Sequence, residues 1–563
     1  MAKATTEKRL RVEHGEPRTL PPHVARSNAA VDLSEQATVT LVVRSRGSDE
    51  EWRALVAQLT HGLPHERRYL SRAQFARKWS ASRADLEAVR AFAKQHKLDV
   101  VSSDAFRRCV VVRGTLRNLG RAFGVEFHHV DHPLGRFRSH AGAPHLPASI
   151  HPLIECILGL DTVPVTRTHA TAKPSGKGSM DRRALLTAYS VPPRLRGKGE
   201  CIAIIELGGG YHRSDLAAYF KQLRLEPPRM RVRGIDGVKN DPASAETIEK
   251  FQDELAHFDP SNPYASPLDP KVVHAATWTI ETTVDICLAA TIAPDASILL
   301  VQSTNDDQGQ YHAVTTVFAD TKSAPSVLSC SWGATEAHNT PALMHALDRW
   351  FQAAAILGIT VCFSSGDHGD GTLNAPTDKT MTVDFPGSSP HVLCCGGTTL
   401  HSKAGTESAW RQKQGALEMA SGGGFSSVFP IPHWQSAAAI DPKAWIPSGM
   451  QSGNGRALPD VAAKADLSDA YSVIVAGLET PAGGTSAAAP LWAALAAIFN
   501  QGLKTRTGAL HTLLYDGTLQ PALRDITTGN TGHFHATKGW DPCTGWGSPH
   551  GEALLRTLRG KAR

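Results

Sequence analysis

Beyond residue 200 the chain carries five short, almost uninterrupted apolar runs: 201-CIAIIEL, 297-SILLVQ, 326-SVLSCSW, 359-ITVCFSS and 391-HVLCCGG. Helix-patterned stretches stand among them, including 213-RSDLAAYFKQL, 340-TPALMHALDRWFQAAAIL and 486-SAAAPLWAALAAIF. A strand that is apolar on both sides cannot leave either face in water, so it needs a helical layer above and below. The alternation predicts an α/β domain with a doubly wound, mostly parallel sheet. With 563 residues there is room for two to four domains, at ~100–200 residues each.

The first third reads differently. The run 37-ATVTLVVRS alternates like a strand, and 71-SRAQFARKWSASRADLEAVRAFAKQHKL has helical periodicity with serines placed to cap it. Further strands, 109-CVVVRG and 125-VEFHHV, flank the helix 115-TLRNLGRAFGV. This predicts a separate α+β unit with an antiparallel sheet over residues 1–165. The segment 162-TVPVTRTHATAKPSGKGSM has no hydrophobic period, so a solvent-exposed linker is expected at 166–180, with the second domain at 181–563. Such linkers are where proteolysis concentrates.

Charge divides at the same place. Residues 1–180 hold 28 Lys and Arg against 17 Asp and Glu, and the remainder holds 31 against 36. Twelve of the 26 histidines lie before residue 170. A basic piece joined to an acidic one suits electrostatic docking of the first on the second. The basic piece brings no aromatic platform or recognition motif, so no nucleic-acid partner is expected. The nine cysteines sit mostly in apolar runs without a CxxC pair, which predicts buried free thiols. The N-terminus lacks the apolar core of a secretory signal, and the longest apolar run, 487-AAAPLWAALAAIF, is too short to span a bilayer.

Three motifs carry chemistry. In 482-AGGTSAAAPLWAALAAIF a Gly-rich turn delivers Ser486 to the start of an Ala-rich helix, where free N–H groups favour developing negative charge. A nucleophilic serine needs a base. The GTSxxxP pattern resembles the nucleophile motif of subtilisin-like peptidases, yet none of the 14 histidines after residue 180 stands in an HGT context. The candidate base lies instead in 277-TWTIETTVDICLAATIAPDASI, where Glu281 and Asp285 are i and i+4 on one helix face, between apolar neighbours. Two carboxyls so close tend to share a proton. The third motif is 363-FSSGDHGDG, in which Asp367 follows a buried strand.

Together these motifs resemble the sedolisins, the serine-carboxyl peptidases, and within them the kumamolisin type. The resemblance implies a subtilisin-like catalytic domain preceded by an inhibitory, ferredoxin-like prodomain, carried here by 69-YLSRAQFARKW, 108-RCVVVRGTLRNLGRAFGVEF and 158-LGLDTVPV. It implies that Glu281 is general base to Ser486, that Asp285 orients Glu281 and shares its proton, and that Asp367 helps form the oxyanion hole. Glu206 and Trp332 would extend the proton-sharing chain, although Trp332 fits core packing equally well. Asp384, in 381-MTVDFPG, and the Gly-rich 421-SGGGFSSVFPIPHW resemble substrate-cleft segments; Asp384 would favour a basic side chain or be an ordinary loop carboxylate. The DI…GWDPxTGxGSP pattern resembles a calcium site, implying one Ca²⁺ held by the Asp525 and Asp541 side chains and the Ile526, Thr537 and Gly539 carbonyls. These donors are the hard oxygens that Ca²⁺ prefers.

A carboxylate base still accepts a proton at about pH 4, where histidine is already charged, and a carboxylic acid donates to an oxyanion only while protonated. The expected activity is therefore acid endopeptidase cleavage of protein and peptide substrates by a monomeric zymogen with its own prodomain as inhibitor, without nucleic-acid or membrane partners. Family habit implies secretion. The alternative is a catalytically degenerate, peptidase-like binding protein.

Overall fold

The computed structural model describes residues 7–21, 24–164, 166–172, 178–254, 268–375, 377–401, 405–414 and 417–560. Part of the expected linker, residues 173–177, therefore lies outside the described residues.

In the N-terminal unit Gln36–Val43 pairs antiparallel with both Cys109–Thr115 and Ile154–Leu158, and Asp99–Asp104 forms the other edge. The strand order is that of a ferredoxin-like sheet. The helical stretch breaks into Arg72–Trp79 and Arg83–Gln95, because Ser71 and Ser82 each accept a backbone N–H from the turn they cap. The expected strand at 125 does form, as Glu126–His132, but it pairs with Gly135–Ala141 and Ala25–Arg26 in a second small sheet rather than joining the first.

The C-terminal unit is built on parallel strands in the order Met230–Gly234, Ser297–Gln302, Cys201–Glu206, Val327–Cys330, Thr360–Ser364, Leu393–His401, with Val461–Lys464 beside the last and Thr406–Ala409 antiparallel at its edge. All five predicted strands are present. Helices Pro270–Ile292 and Ala488–Leu503 cover one face, while Asp307–Ala319 and Pro341–Leu357 cover the other. The nine cysteines are buried free thiols. Among the described residues, no helix is long and apolar enough to cross a membrane.

The N-terminal unit docks on the second helical face, where Trp52, Phe75 and Trp79 share one apolar cluster with Tyr311, Phe318 and Trp350. Each large apolar side chain so buried contributes about 1.5–3 kcal/mol. Polar contacts fix the orientation. Arg349 lies 4.0 Å over the Trp52 ring, and Arg67 donates to the Thr507 and Ala509 carbonyls. Fully buried Arg18 bridges Asp161 of the N-terminal unit and Asp307 of the C-terminal unit, at 3.1 and 2.6 Å.

Candidate active site

Ser486 and the Glu281/Asp285 pair reach one place because their two helices pack together beneath the sheet. The helix Pro270–Ile292 is buried on every side from Trp278 onward, so neither carboxyl can turn to water, and Glu281, Asp285 and Ser486 are all 0 % exposed. The turn before Ser486 requires glycine: Gly484 has φ +92° and donates to the Ala465 carbonyl at 2.7 Å. The Ser486 hydroxyl donates to the Ser331 carbonyl at 3.1 Å and, lying near Glu281, offsets part of the upward push that burial gives that carboxyl.

Burial raises Glu281, Asp285 and Glu206 together, and the repulsion among them raises Glu281 and Glu206 further. Asp285 is pushed up to about 8 by burial, eased by the Ser331 hydroxyl. Three buried carboxyls cannot all ionise, so the cluster keeps protons. The negative charge is best placed on Glu281, whose Oε2 accepts the backbone N–H groups of His169 at 2.9 Å and Ala170 at 2.8 Å, whereas the Glu206 oxygens have no partner among the described residues. Trp332 does not extend this chain through its indole, which donates to the Ile205 carbonyl at 2.7 Å.

Asp367 leaves the strand Thr360–Ser364 and is buried beside the Ser486 turn. Its Oδ1 accepts from the Thr485 backbone N–H at 2.8 Å and the Thr485 hydroxyl at 2.7 Å, while Oδ2 has no partner among the described residues. Burial pushes it up to about 6. The Gly-rich 421–424 stretch underlies this loop: Gly422 donates to the Gly366 carbonyl at 2.7 Å, and a Cβ there would lie 2.3 Å from the Ser365 carbonyl oxygen.

The first part of the linker, residues 166–172, is not solvent-exposed, contrary to expectation. Arg167–Thr168 pairs antiparallel with Trp332–Thr335, Thr171–Ala172 pairs with Leu478–Gly483, and His169 between them is 1 % exposed. The His169 N–H also donates to the Ser331 carbonyl at 3.1 Å, and Ser486 N–H reaches the His169 carbonyl at 3.4 Å. Asp384 faces this segment. Its Oδ2 lies 3.1 Å from His169 Nε2 and 3.2 Å from Arg167 Nη2, contacts that hold its carboxyl well below the usual range despite burial. An ionised carboxylate can only accept, so His169 Nε2 carries the proton, and Nδ1 meets the Ser364 hydroxyl at 2.7 Å.

At the C-terminal loop Gly539 N–H donates to Asp525 at 3.0 Å and Thr537 N–H to Asp541 at 2.9 Å, which draws both carboxylates onto one turn. Asp541 and Ile526 are both buried, and burial pushes the Asp541 carboxyl up to about 7. Two carboxylates with neighbouring carbonyls fit a hard cation. Among the described residues no three His, Cys, Asp or Glu side chains cluster for a metal, so any ion here would depend on those carbonyls.

The activation domain of pro-kumamolisin matches residues 24–163, and the subtilase family matches residues 272–541. Kumamolisin from Bacillus sp. (strain MN-32) is 38% identical over 546 residues, covering 93% of this chain and 92% of the relative. The chain belongs to the kumamolisin-type sedolisins. This sedolisin is thus a serine-type peptidase joined to its own activation domain. It is 30% identical over 300 residues to human tripeptidyl-peptidase 1, covering 50% of this chain and 52% of that one. The solved Pseudomonas sedolisin, a serine-carboxyl proteinase complexed with pseudo-iodotyrostatin, shares the fold at TM-score 0.55 and 24% identity, covering 69% of this chain and 99% of that one.

Proposed function

We propose that this sedolisin is an acid-active endopeptidase using Ser486 as nucleophile, Glu281 as base, Asp285 to share the base's proton and Asp367 as oxyanion donor. Its first substrate is its own linker. Residues 1–165 form the inhibitory domain, 166–180 the linker and 181–563 the peptidase. One observation carries the reading: the linker's main chain lies in the cleft as a substrate would, with the His169 carbonyl at Ser486 N–H and the Ala170 N–H at Glu281. The scissile bond is then His169–Ala170.

The Ser486 hydroxyl turns from Ser331 towards Glu281, gives up its proton there, and Oγ bonds to the His169 carbonyl carbon. The oxygen becomes an oxyanion held by Ser486 N–H and the protonated Asp367. Glu281 already touches the Ala170 nitrogen, so it returns the proton to that leaving group as the C–N bond breaks, leaving an acyl-enzyme. A water, deprotonated by Glu281, then releases the acyl group as a carboxylic acid. Asp384 binds the basic side chains on the acyl side. A Ca²⁺ ion held by Asp525, Asp541 and the Ile526, Thr537 and Gly539 carbonyls would add structural charge compensation away from the reaction. The convergence of all four catalytic side chains disfavours a degenerate binding protein.

The test is acidification to about pH 4, followed by sequencing of the new N-terminus. Ala170 is expected first in the wild type, and Ser486→Ala should remain uncut. Processing of purified Ser486→Ala would overturn the reading.

A further inference from the structure

A carboxylic acid serves an oxyanion only if its proton sits on the oxygen that faces the reaction. Asp367 has two oxygens, and the structure treats them unequally. Both donors of Thr485, backbone N–H and hydroxyl, converge on Oδ1 at 2.8 and 2.7 Å, while buried Oδ2 is left without a partner among the described residues. The rotation of the hydroxyl is itself fixed, because Gly366 N–H donates to Thr485 Oγ1 at 3.2 Å and so directs the hydroxyl proton away, onto Asp367. A β-branched side chain is stiff about χ1. The Thr485 methyl also stands close to the backbone at Gly397, where an added Cβ would lie 3.4 Å from Cγ2. A proton on Oδ1 would oppose two donor hydrogens; a proton on Oδ2 opposes none.

We propose that Thr485 is a positioning residue that keeps the Asp367 proton on Oδ2 and so makes the carboxyl a one-way donor to the oxyanion. The proposal rests on the reading of Asp367 as oxyanion donor. The same dipeptide that presents the nucleophile thereby orients its electrostatic partner, which lies 118 residues away along the chain. Free rotation of that carboxyl would leave the donor on the wrong oxygen for part of the time.

The test compares Thr485→Val, Thr485→Ser and Asp367→Ala, each matured in trans by tagged wild-type enzyme that is then removed, on a fluorogenic peptide from pH 3 to pH 8. Thr485→Val keeps the shape and loses the hydroxyl. It is expected to lower kcat at least about tenfold with KM within about twofold, since a whole oxyanion donor is worth ~10²–10³. Its alkaline limb should move to higher pH, because a donor to the ionised carboxyl has been removed. Thr485→Ser should restore both. If Thr485→Val does not fold, Thr485→Ala is read in the same way. Wild-type kcat and an unmoved limb in Thr485→Val, alongside an inactive Asp367→Ala, would overturn the proposal alone. An active Asp367→Ala would overturn the oxyanion reading beneath it as well.

Discussion

Asp367→Asn isolates the pH dependence of the oxyanion donor proposed at this position. The carboxyl is raised to about 6 by burial, so its useful, protonated form is present below that pH and lost above it. Each pH unit beyond the pKa removes about tenfold of the donor, or ~1.36 kcal/mol, so two units remove about 100-fold, roughly 2.7 kcal/mol. An amide has the same shape, accepts from Thr485 through its oxygen and donates through its nitrogen at every pH. The variant should therefore keep its activity through the range in which the wild type falls. The assay is kcat/KM on one peptide with matured enzyme between pH 4 and pH 8. The ratio of variant to wild type should climb about 100-fold over the two units beyond the wild-type limb. A flat ratio would refute the assignment, because the limb would then belong to another group.

Asp384→Asn should slow cleavage after peptides carrying Arg or His at the positions matched by Arg167 and His169, by about tenfold in kcat/KM, and leave neutral peptides nearly unchanged; competition between paired peptides measures this directly. Calcium removal by prolonged chelation should lower the Tm, since an ion at 100 times its Kd adds ~2.7 kcal/mol, and Asp541→Ala should abolish the response to added Ca²⁺. Arg18→Met leaves Asp161 and Asp307 buried without their cation, a loss of about 3–5 kcal/mol. In uncleavable Ser486→Ala protein this should appear as earlier thermal release of the activation domain.

The parts legible in the sequence are those whose signal is local. Five central strands are continuous apolar runs, and the Glu281/Asp285 spacing between apolar neighbours on one helix places both carboxyls inside. Strands with mixed patterns carry no such signal: Met230–Gly234 reads MRVRG, and Asp99–Asp104 reads DVVSSD on an exposed edge. The linker's lack of a hydrophobic period predicts exposure. Its order comes instead from main-chain pairing with Trp332–Thr335 and Leu478–Gly483, which side-chain periodicity does not encode. Thr485 carries no sequence signal of its role, since its partner Asp367 is distant in sequence and near only after folding. Asp384 was visible as a carboxylate, but its meaning depends on Arg167 and His169 arriving opposite it.

The linker also acts on the group that would cut it. The positive charge of Arg167, and of His169 when protonated, holds Asp367 below the value that burial alone would give, and the same residues help push His368 down to about 3. At equal burial, the carboxyl is therefore harder to protonate while these charges fill the cleft than after they have gone. Activation should demand stronger acid than turnover, even though one set of atoms performs both. The effect needs no movement of the activation domain, because two side chains on the segment bound beside Asp384 suffice. It predicts that the midpoint pH for first-order linker cleavage lies below the alkaline limb of the matured enzyme, and that Arg167→Gln narrows the gap. Equal midpoints in the wild type would place the acid trigger outside the cleft, in the contacts that hold the activation domain down.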